Sequence, residues 1–274
     1  MHSIEVVSAP RLSSPDKLDG AAGSPGRAWW QIALVLGLGL GQSAIYSIVN
    51  IVDFATRPTG IAGQKATLNP SVSDRQYFDL TYQLLGIAFE IVPVLLAGYF
   101  VWSARRPHLG RLGLTRPRGA DAAWGVGLAL VIGAGGIAVY LGARALGLAV
   151  AVDPGGLAAY WWTVPVLLLS ALRAAVQEEF VVLGFLYDRL GAIGWNRWLI
   201  IVSTAVVRGS YHLYQGWGGF VGNLVMGLIF GWLYTRIRRV LPFVIAHFLI
   251  DAAVFVGYAW AAATFPSVFG LGHR

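Results

Sequence analysis

Ionisable side chains occur inside stretches of this sequence that are otherwise strongly apolar. A charged group at the centre of a bilayer costs about 2.5–3.5 kcal/mol on insertion scales, so such residues are candidates for function. Four are carboxylates and two are arginines, and protons or a divalent cation could neutralise the excess of two negative charges. The whole set is Glu90, Arg173, Glu178, Glu179, Arg208, His212, His247 and Asp251.

The spacing of five of these residues favours acid–base chemistry. Glu178 and Glu179 are adjacent, about 100° apart around a helix, so one can face a cavity while a cation holds the other. His247 and Asp251 are four residues apart and share a helical face, so the carboxylate can orient the imidazole. With His212 they could supply a general base, Glu178, and polar groups that position water. A transporter could use the same groups as a proton relay, so residue types alone leave hydrolysis and transport open.

Two histidines are the candidate metal ligands. His212 and His247 could bind a metal ion, or they could stabilise an oxyanion directly. The chain has 0 cysteines, which excludes thiolate ligands and disulfides. The segment GLGLG at 37–41 lies in an apolar run with no preceding strand, so we expect no nucleotide, and we expect no haem.

The elements that must position these residues are membrane-spanning helices. Of the 274 residues, 57% are hydrophobic and 12% are charged, which is about half the charged fraction of a soluble domain. Several apolar runs reach the roughly 20 residues that cross a bilayer. We therefore predict an all-α, polytopic transmembrane helical bundle of about seven spans, at 28–52, 78–102, 122–143, 163–187, 198–214, 218–236 and 241–263.

The distribution of charge predicts the orientation. The net charge is +7, and the segment SARRPHLGRLGLTRPRG after the second span is rich in arginine. The positive-inside rule makes that loop cytoplasmic, so the N-terminus is predicted inside and the C-terminus outside, in a multi-pass protein of the plasma membrane. Basic residues fall where orientation requires them, so the lipid bilayer, and no nucleic acid, is the expected partner. The oligomeric state is unknown from the sequence.

The predicted organisation has four parts. Residues 1–27 lack an apolar core and are predicted to be a disordered cytoplasmic tail. Residues 28–150 form N-terminal transmembrane helices, residues 151–265 form the core with the candidate site, and residues 266–274 form a short tail. Glycine pairs in the sixth span have GxxxG spacing, which predicts close helix packing.

Three motifs, taken in order, resemble the CAAX prenyl protease and bacteriocin-processing (CPBP, or ABI) family of intramembrane endopeptidases. EEFVVLG matches the diglutamate motif EExxxR, RGSYH matches FxxxH, and HFLID matches HxxxN or HxxxD, over roughly 160–260. The resemblance implies an intramembrane metalloprotease that hydrolyses a peptide bond in a membrane-associated protein or peptide. It makes zinc the candidate metal for His212 and His247. It implies that Glu178 activates the catalytic water, that His212, His247 and Asp251 complete the site, and that Glu179 holds the architecture.

The sequence departs from the family pattern at two positions. Leu183 stands where the motif has arginine, and Arg208 stands where it has an aromatic residue. A buried Glu179 needs a cation, and the forked guanidinium of Arg208 suits a carboxylate. We therefore predict that a Glu179–Arg208 pair replaces the usual pair within one helix. The missing arginine also leaves a non-catalytic membrane scaffold, a pseudoprotease, as an alternative.

Overall fold

A computed structural model describes residues 24–102, 110, 116–153 and 156–257. The described chain is predominantly helical, which confirms the predicted fold class. The helices are α1 (Pro25–Gly37), α2 (Leu40–Thr56), α3 (Gln76–Glu90), α4 (Val92–Val101), α5 (Gly119–Ala145), α6 (Thr163–Glu179), α7 (Tyr187–Ala192), α8 (Arg197–Ser210), α9 (Trp217–Ile237) and α10 (Leu241–Ala252). Two short strands lie in connecting loops: β1 (Lys65–Thr67) between α2 and α3, and β2 (Ala151–Asp153) between α5 and α6.

Helices occur in all seven predicted spans, but the count of about seven crossings is not confirmed. By length and apolarity, 3 helices of the described chain could cross a membrane: Gln76–Val101, Gly119–Ala145 and Trp217–Ile237. Counting α1 and α2 as one span bent by 58° makes 4. The helix Leu241–Gly257 is apolar but short, and α8 has only 14 residues.

The fourth predicted span is a continuous helix from 163 to 192 with a π-helical segment in its middle. This segment, Phe180–Leu186, follows directly after the two glutamates and is buried throughout. π-helical turns are rare in proteins overall, and those that do occur are often found at functional sites. Its apolar side chains join the main hydrophobic core, and this burial anchors the helix next to the carboxylates.

The fifth predicted span ends earlier than the sequence suggested. Helix α8 stops at Ser210, one residue after Gly209, and His212 lies in the turn that follows. Asn196 caps the start of α8, accepting hydrogen bonds from two backbone N–H groups at 3.0 Å each. At 1.5 Å per residue, Glu178 and His212 both lie about 20 Å from the α7–α8 turn. Glu178, in α6, and His212, in the turn after α8, therefore lie at about the same level in the bundle.

Close packing of α9 brings α8 against the rest of the bundle. A Cβ atom on Gly227 would lie 2.9 Å from Ala205 Cα and 3.3 Å from Arg208 Cδ. A Cβ atom on Gly231 would overlap the hydroxyl of Tyr187. The packing role predicted for the glycines of this GxxxG pair is therefore confirmed.

A two-stranded ladder connects the loops on one side of the bundle. β1 and β2 are parallel, with Lys65 opposite Ala151, and Lys65 Nζ lies 2.7 Å from Asp153 Oδ2. The chain just before β2 also pairs with the turn before α9, where the N–H of Val150 donates to the carbonyl of Gln215 at 3.2 Å. This contact holds the turn that carries the candidate histidine.

Several predictions about the organisation stay predictions. The tails at 1–27 and 266–274 lie outside the described residues, except that α1 already begins at Pro25. Most of the arginine-rich loop after the second predicted span also lies outside them. The boundary at 150 and the orientation of the chain in the membrane are likewise untested.

Candidate active site

Candidate residues from three helical segments converge on one buried site. The end of α6, the end of α8 with its following turn, and the middle of α10 contribute to it. The contacts that join these segments are hydrogen bonds and ion pairs between side chains. The residues brought together are Glu178, Glu179, Arg208, His212, His247 and Asp251.

Glu179 is the fully buried centre of this arrangement. Its Oε1 atom accepts a hydrogen bond from Arg208 in a close ion pair, and it lies 2.7 Å from His247 Nδ1. The predicted contact between Glu179 and Arg208 is present in the structure. Leu183, at the position of the motif arginine, is 1% exposed and packs in the hydrophobic core. One carboxylate thus ties α6 to both α8 and α10.

Arg208 is shared between the two glutamates. Its NH2 atom, besides contacting Glu179, lies 3.8 Å from Glu178 Oε2. The guanidinium lies over the ring of Phe230, at 5.6 Å from its centroid. Its Nε and NH1 atoms are buried and have no hydrogen-bond partner among the described residues. The cation therefore neutralises charge at both carboxylates and keeps donors free within the site.

Glu178 is nearly buried and faces groups on the α8 side. Its Oε2 atom accepts a hydrogen bond of 2.7 Å from the hydroxyl of Tyr211 and lies 3.8 Å from His212 Nε2. Sequence reasoning missed Tyr211. Its position directly before His212 in RGSYH could have indicated a place in the site. A tyrosine in an apolar segment is, however, ordinarily interpreted as a residue of the hydrophobic core.

His212 has unused hydrogen-bonding capacity. Neither ring nitrogen has a hydrogen-bond partner in the part of the chain that the structure describes. The side chain is 16% exposed, and its ring centroid lies 4.8 Å from that of Tyr211. Since imidazole can donate or accept, His212 can contact a water molecule or a substrate carbonyl placed beside Glu178.

His247, in contrast, has an acidic neighbour at both nitrogens. Nδ1 lies 2.7 Å from Glu179, and Nε2 lies 3.4 Å from Asp251 Oδ2, one helical turn further along α10. The i, i+4 alignment expected for His247 and Asp251 is therefore observed. A second π-helical segment, Ala253–Gly257, follows this pair. His247 is held between carboxylates and is less available than His212.

Among the described residues, the donors at this site are not arranged like a catalytic zinc centre. Within the described residues, no group of three or more His, Cys, Asp or Glu side chains is placed to hold a metal ion. A catalytic zinc ion usually takes three protein ligands and a water molecule, whereas both nitrogens of His247 already face carboxylates. Zinc at His212 and His247 stays a prediction, which metal analysis of the purified protein would test.

The other two intramembrane candidates lie at a junction of α3 and α6. Arg173 NH1 lies 2.8 Å from Glu90 Oε2, and it donates to Gln177 Oε1 at 3.3 Å. The contact with Gln177 is the one expected from their i, i+4 spacing. Glu90 is therefore paired with a cation outside the cluster around Glu178.

Part of the chain matches a known protein family. Residues 160–253 match the family described as type II CAAX prenyl endopeptidase Rce1-like. Neither the curated proteins nor the solved structures gave a match. The matched residues include every helix from α6 to α10 and the turn after α8, and so all of the residues that converge on the site. The resemblance drawn from the three motifs is thereby confirmed: residues 160–253 are similar to the family described as type II CAAX prenyl endopeptidase Rce1-like.

Proposed function

We propose that this protein is an intramembrane endopeptidase in which Glu178 activates a water molecule to hydrolyse a peptide bond. The observation that carries the proposal is the position of Glu178 opposite His212, whose ring nitrogens have no hydrogen-bond partner among the described residues. A general base can activate a water molecule, and a hydrogen-bond donor on the facing segment can stabilise the oxyanion that forms when water adds to a carbonyl group. The match to an endopeptidase family over the same residues supports this reading.

The chemical step follows from the roles of these two residues. Glu178 takes a proton from water while the water oxygen attacks the carbonyl carbon of the scissile peptide bond. An N–H group of His212 donates a hydrogen bond to the oxyanion that forms. Glu178 then returns the proton to the departing nitrogen, the carbon–nitrogen bond breaks, and the products are a carboxylate and an amine.

The remaining residues hold the base and its neighbours in place. Arg208 balances the charge of Glu179 and lies near Glu178, so it limits repulsion between two adjacent carboxylates. Asp251 and Glu179 fix His247 from both sides. His247 in turn keeps α10 against the glutamates and supplies a polar wall to the site.

The substrate is a membrane-associated protein or peptide, and the lipid bilayer is the partner that delivers it. We propose that the protein lies in the plasma membrane with its N-terminus in the cytoplasm. The scissile bond then lies near the cytoplasmic side of the membrane. The family description names a prenyl endopeptidase, so a peptide with a prenylated CAAX-type tail is the first substrate to test.

Reconstitution of the purified protein into liposomes tests the proposal. We expect cleavage of a prenylated or an unprenylated peptide into two products, detected by mass spectrometry, with no need for a proton gradient. Charge movement driven by a proton gradient, with every peptide intact, would instead identify a transporter. A protein that does neither would fit the scaffold alternative. Metal analysis of the same preparation tests the zinc prediction.

A further inference from the structure

We infer that Tyr211 is a positioning residue for this hydrolysis, holding Glu178 in the orientation from which it contacts water. The inference rests on the proposed function and adds a residue that the family motifs do not contain. A carboxylate has about four acceptor sites, and a donor that occupies one of them fixes the direction of the others. The hydroxyl of Tyr211 occupies such a site on Oε2 of Glu178.

The hydrogen bond is well formed and shielded. Its length of 2.7 Å lies within the range for a hydroxyl donating to a carboxylate. Tyr211 is 4% exposed and Glu178 is 9% exposed, so bulk water competes little for either partner. Hydrogen bonds to charged groups in such surroundings are stronger and more directional than those at the surface.

The tyrosine is itself held from two directions. It caps the C-terminus of α8, and its N–H group donates to the carbonyl of Val207 at 3.4 Å. Its own carbonyl accepts a hydrogen bond of 3.0 Å from the hydroxyl of Ser47, a buried residue of α2. Helix α2 lies outside the residues matched to the family, so the N-terminal part of the chain also supports the site.

Other polar groups around Glu178 do not replace this contact. Arg208 of α8 and His212 of the following turn come no closer than 3.8 Å to its Oε2 atom. His247 of α10 contacts Glu179 rather than Glu178. These groups affect the charge of Glu178, whereas the phenol fixes its direction.

Kinetics of Tyr211→Phe test the inference. This change removes one hydroxyl group and keeps the ring beside His212. We expect kcat to fall about 10- to 100-fold, with KM within about twofold of the wild-type value, because a hydrogen bond that orients the base is lost. Tyr140→Phe is the matched control, since its hydroxyl accepts a hydrogen bond from the N–H of Val152, away from the site.

A second arm tests whether Tyr211 acts through Glu178. In a Glu178→Asp background the shortened side chain has already left the phenol, so adding Tyr211→Phe should lower kcat by less than about threefold. A fresh loss of about 10-fold or more in that background would show that the tyrosine acts elsewhere and would overturn the inference.

Infrared spectroscopy supplies a readout that needs no turnover. The carboxylate band that disappears in Glu178→Gln should shift in Tyr211→Phe and stay in place in Tyr140→Phe. An unshifted band, or an unchanged kcat while Glu178→Gln is inactive, would refute the role of Tyr211 and leave the proposed function standing. Full activity of Glu178→Gln would refute the proposed function itself, and the band would still decide whether the phenol orients Glu178.

Discussion

Replacing Glu178 by glutamine should lower kcat/KM for peptide cleavage by about 10²- to 10⁴-fold and leave the protein folded. Glutamine has nearly the same shape, and its carbonyl oxygen can still accept the hydrogen bond from Tyr211. It cannot take a proton from water, so the nucleophile is no longer generated. The rate of product formation, followed by mass spectrometry at several substrate concentrations, measures the loss.

A variant with the same loss of charge provides the control. Asp53, near the end of α2, is about half exposed and pairs with Arg57 at 2.5 Å. Asp53→Asn therefore removes one carboxylate without touching the site, and its activity should equal that of the wild type. If Glu178→Gln cleaves peptides as fast as Asp53→Asn does, Glu178 is not the base.

Replacing Arg208 by leucine should have the largest effect on stability, a loss of about 3–5 kcal/mol in the free energy of unfolding. The change leaves Glu179 buried with its strongest counter-charge removed, while the neighbouring Glu178 still carries a like charge. Breaking one partner of a buried ion pair is costly because the remaining charge has lost its hydration without compensation. Thermal or denaturant unfolding of the purified protein in detergent measures the loss.

Restoring the motif arginine tests the exchange of partners directly. Leu183 lies four residues after Glu179, so Leu183→Arg places a guanidinium on the same helix as the buried carboxylate. The double variant Arg208→Leu with Leu183→Arg should regain part of the lost stability. Leu183→Arg alone should be destabilising, because it adds a second cation to a packed apolar position. A double variant no more stable than Arg208→Leu would rule out the exchange.

The convergence of the site could be predicted because its residues contrast with their surroundings. Charged groups within apolar helices are expensive, so Glu178, Glu179 and His247 had to find partners inside the bundle. Arg208 was predictable as the partner of Glu179 because the usual position of the cation, Leu183, is apolar. These inferences required only residue types, spacing and the cost of burying charge.

Other features depended on backbone geometry that the sequence does not display. The π-helical segments after Glu179 and Ala252 change the direction of side chains, but their residues resemble those of any apolar helix. The fourth predicted span continues as a helix to Ala192, five residues past its predicted end at 187. This extra length puts Glu178 about as far from the α7–α8 turn as His212 is. Tyr211 escaped notice because a tyrosine can serve as core or as donor, and only the contact with Glu178 distinguishes the two.

A double-mutant cycle between Glu178 and His212 tests most directly whether one water molecule is activated between facing segments. Purified Glu178→Gln, His212→Ala and the double variant would be compared by kcat/KM for peptide cleavage. Residues that act as a unit give non-additive losses, so the double variant should be no slower than the slower single variant, to within about threefold. Losses that multiply in the double variant would show that Glu178 and His212 act independently, and they would contradict a shared site.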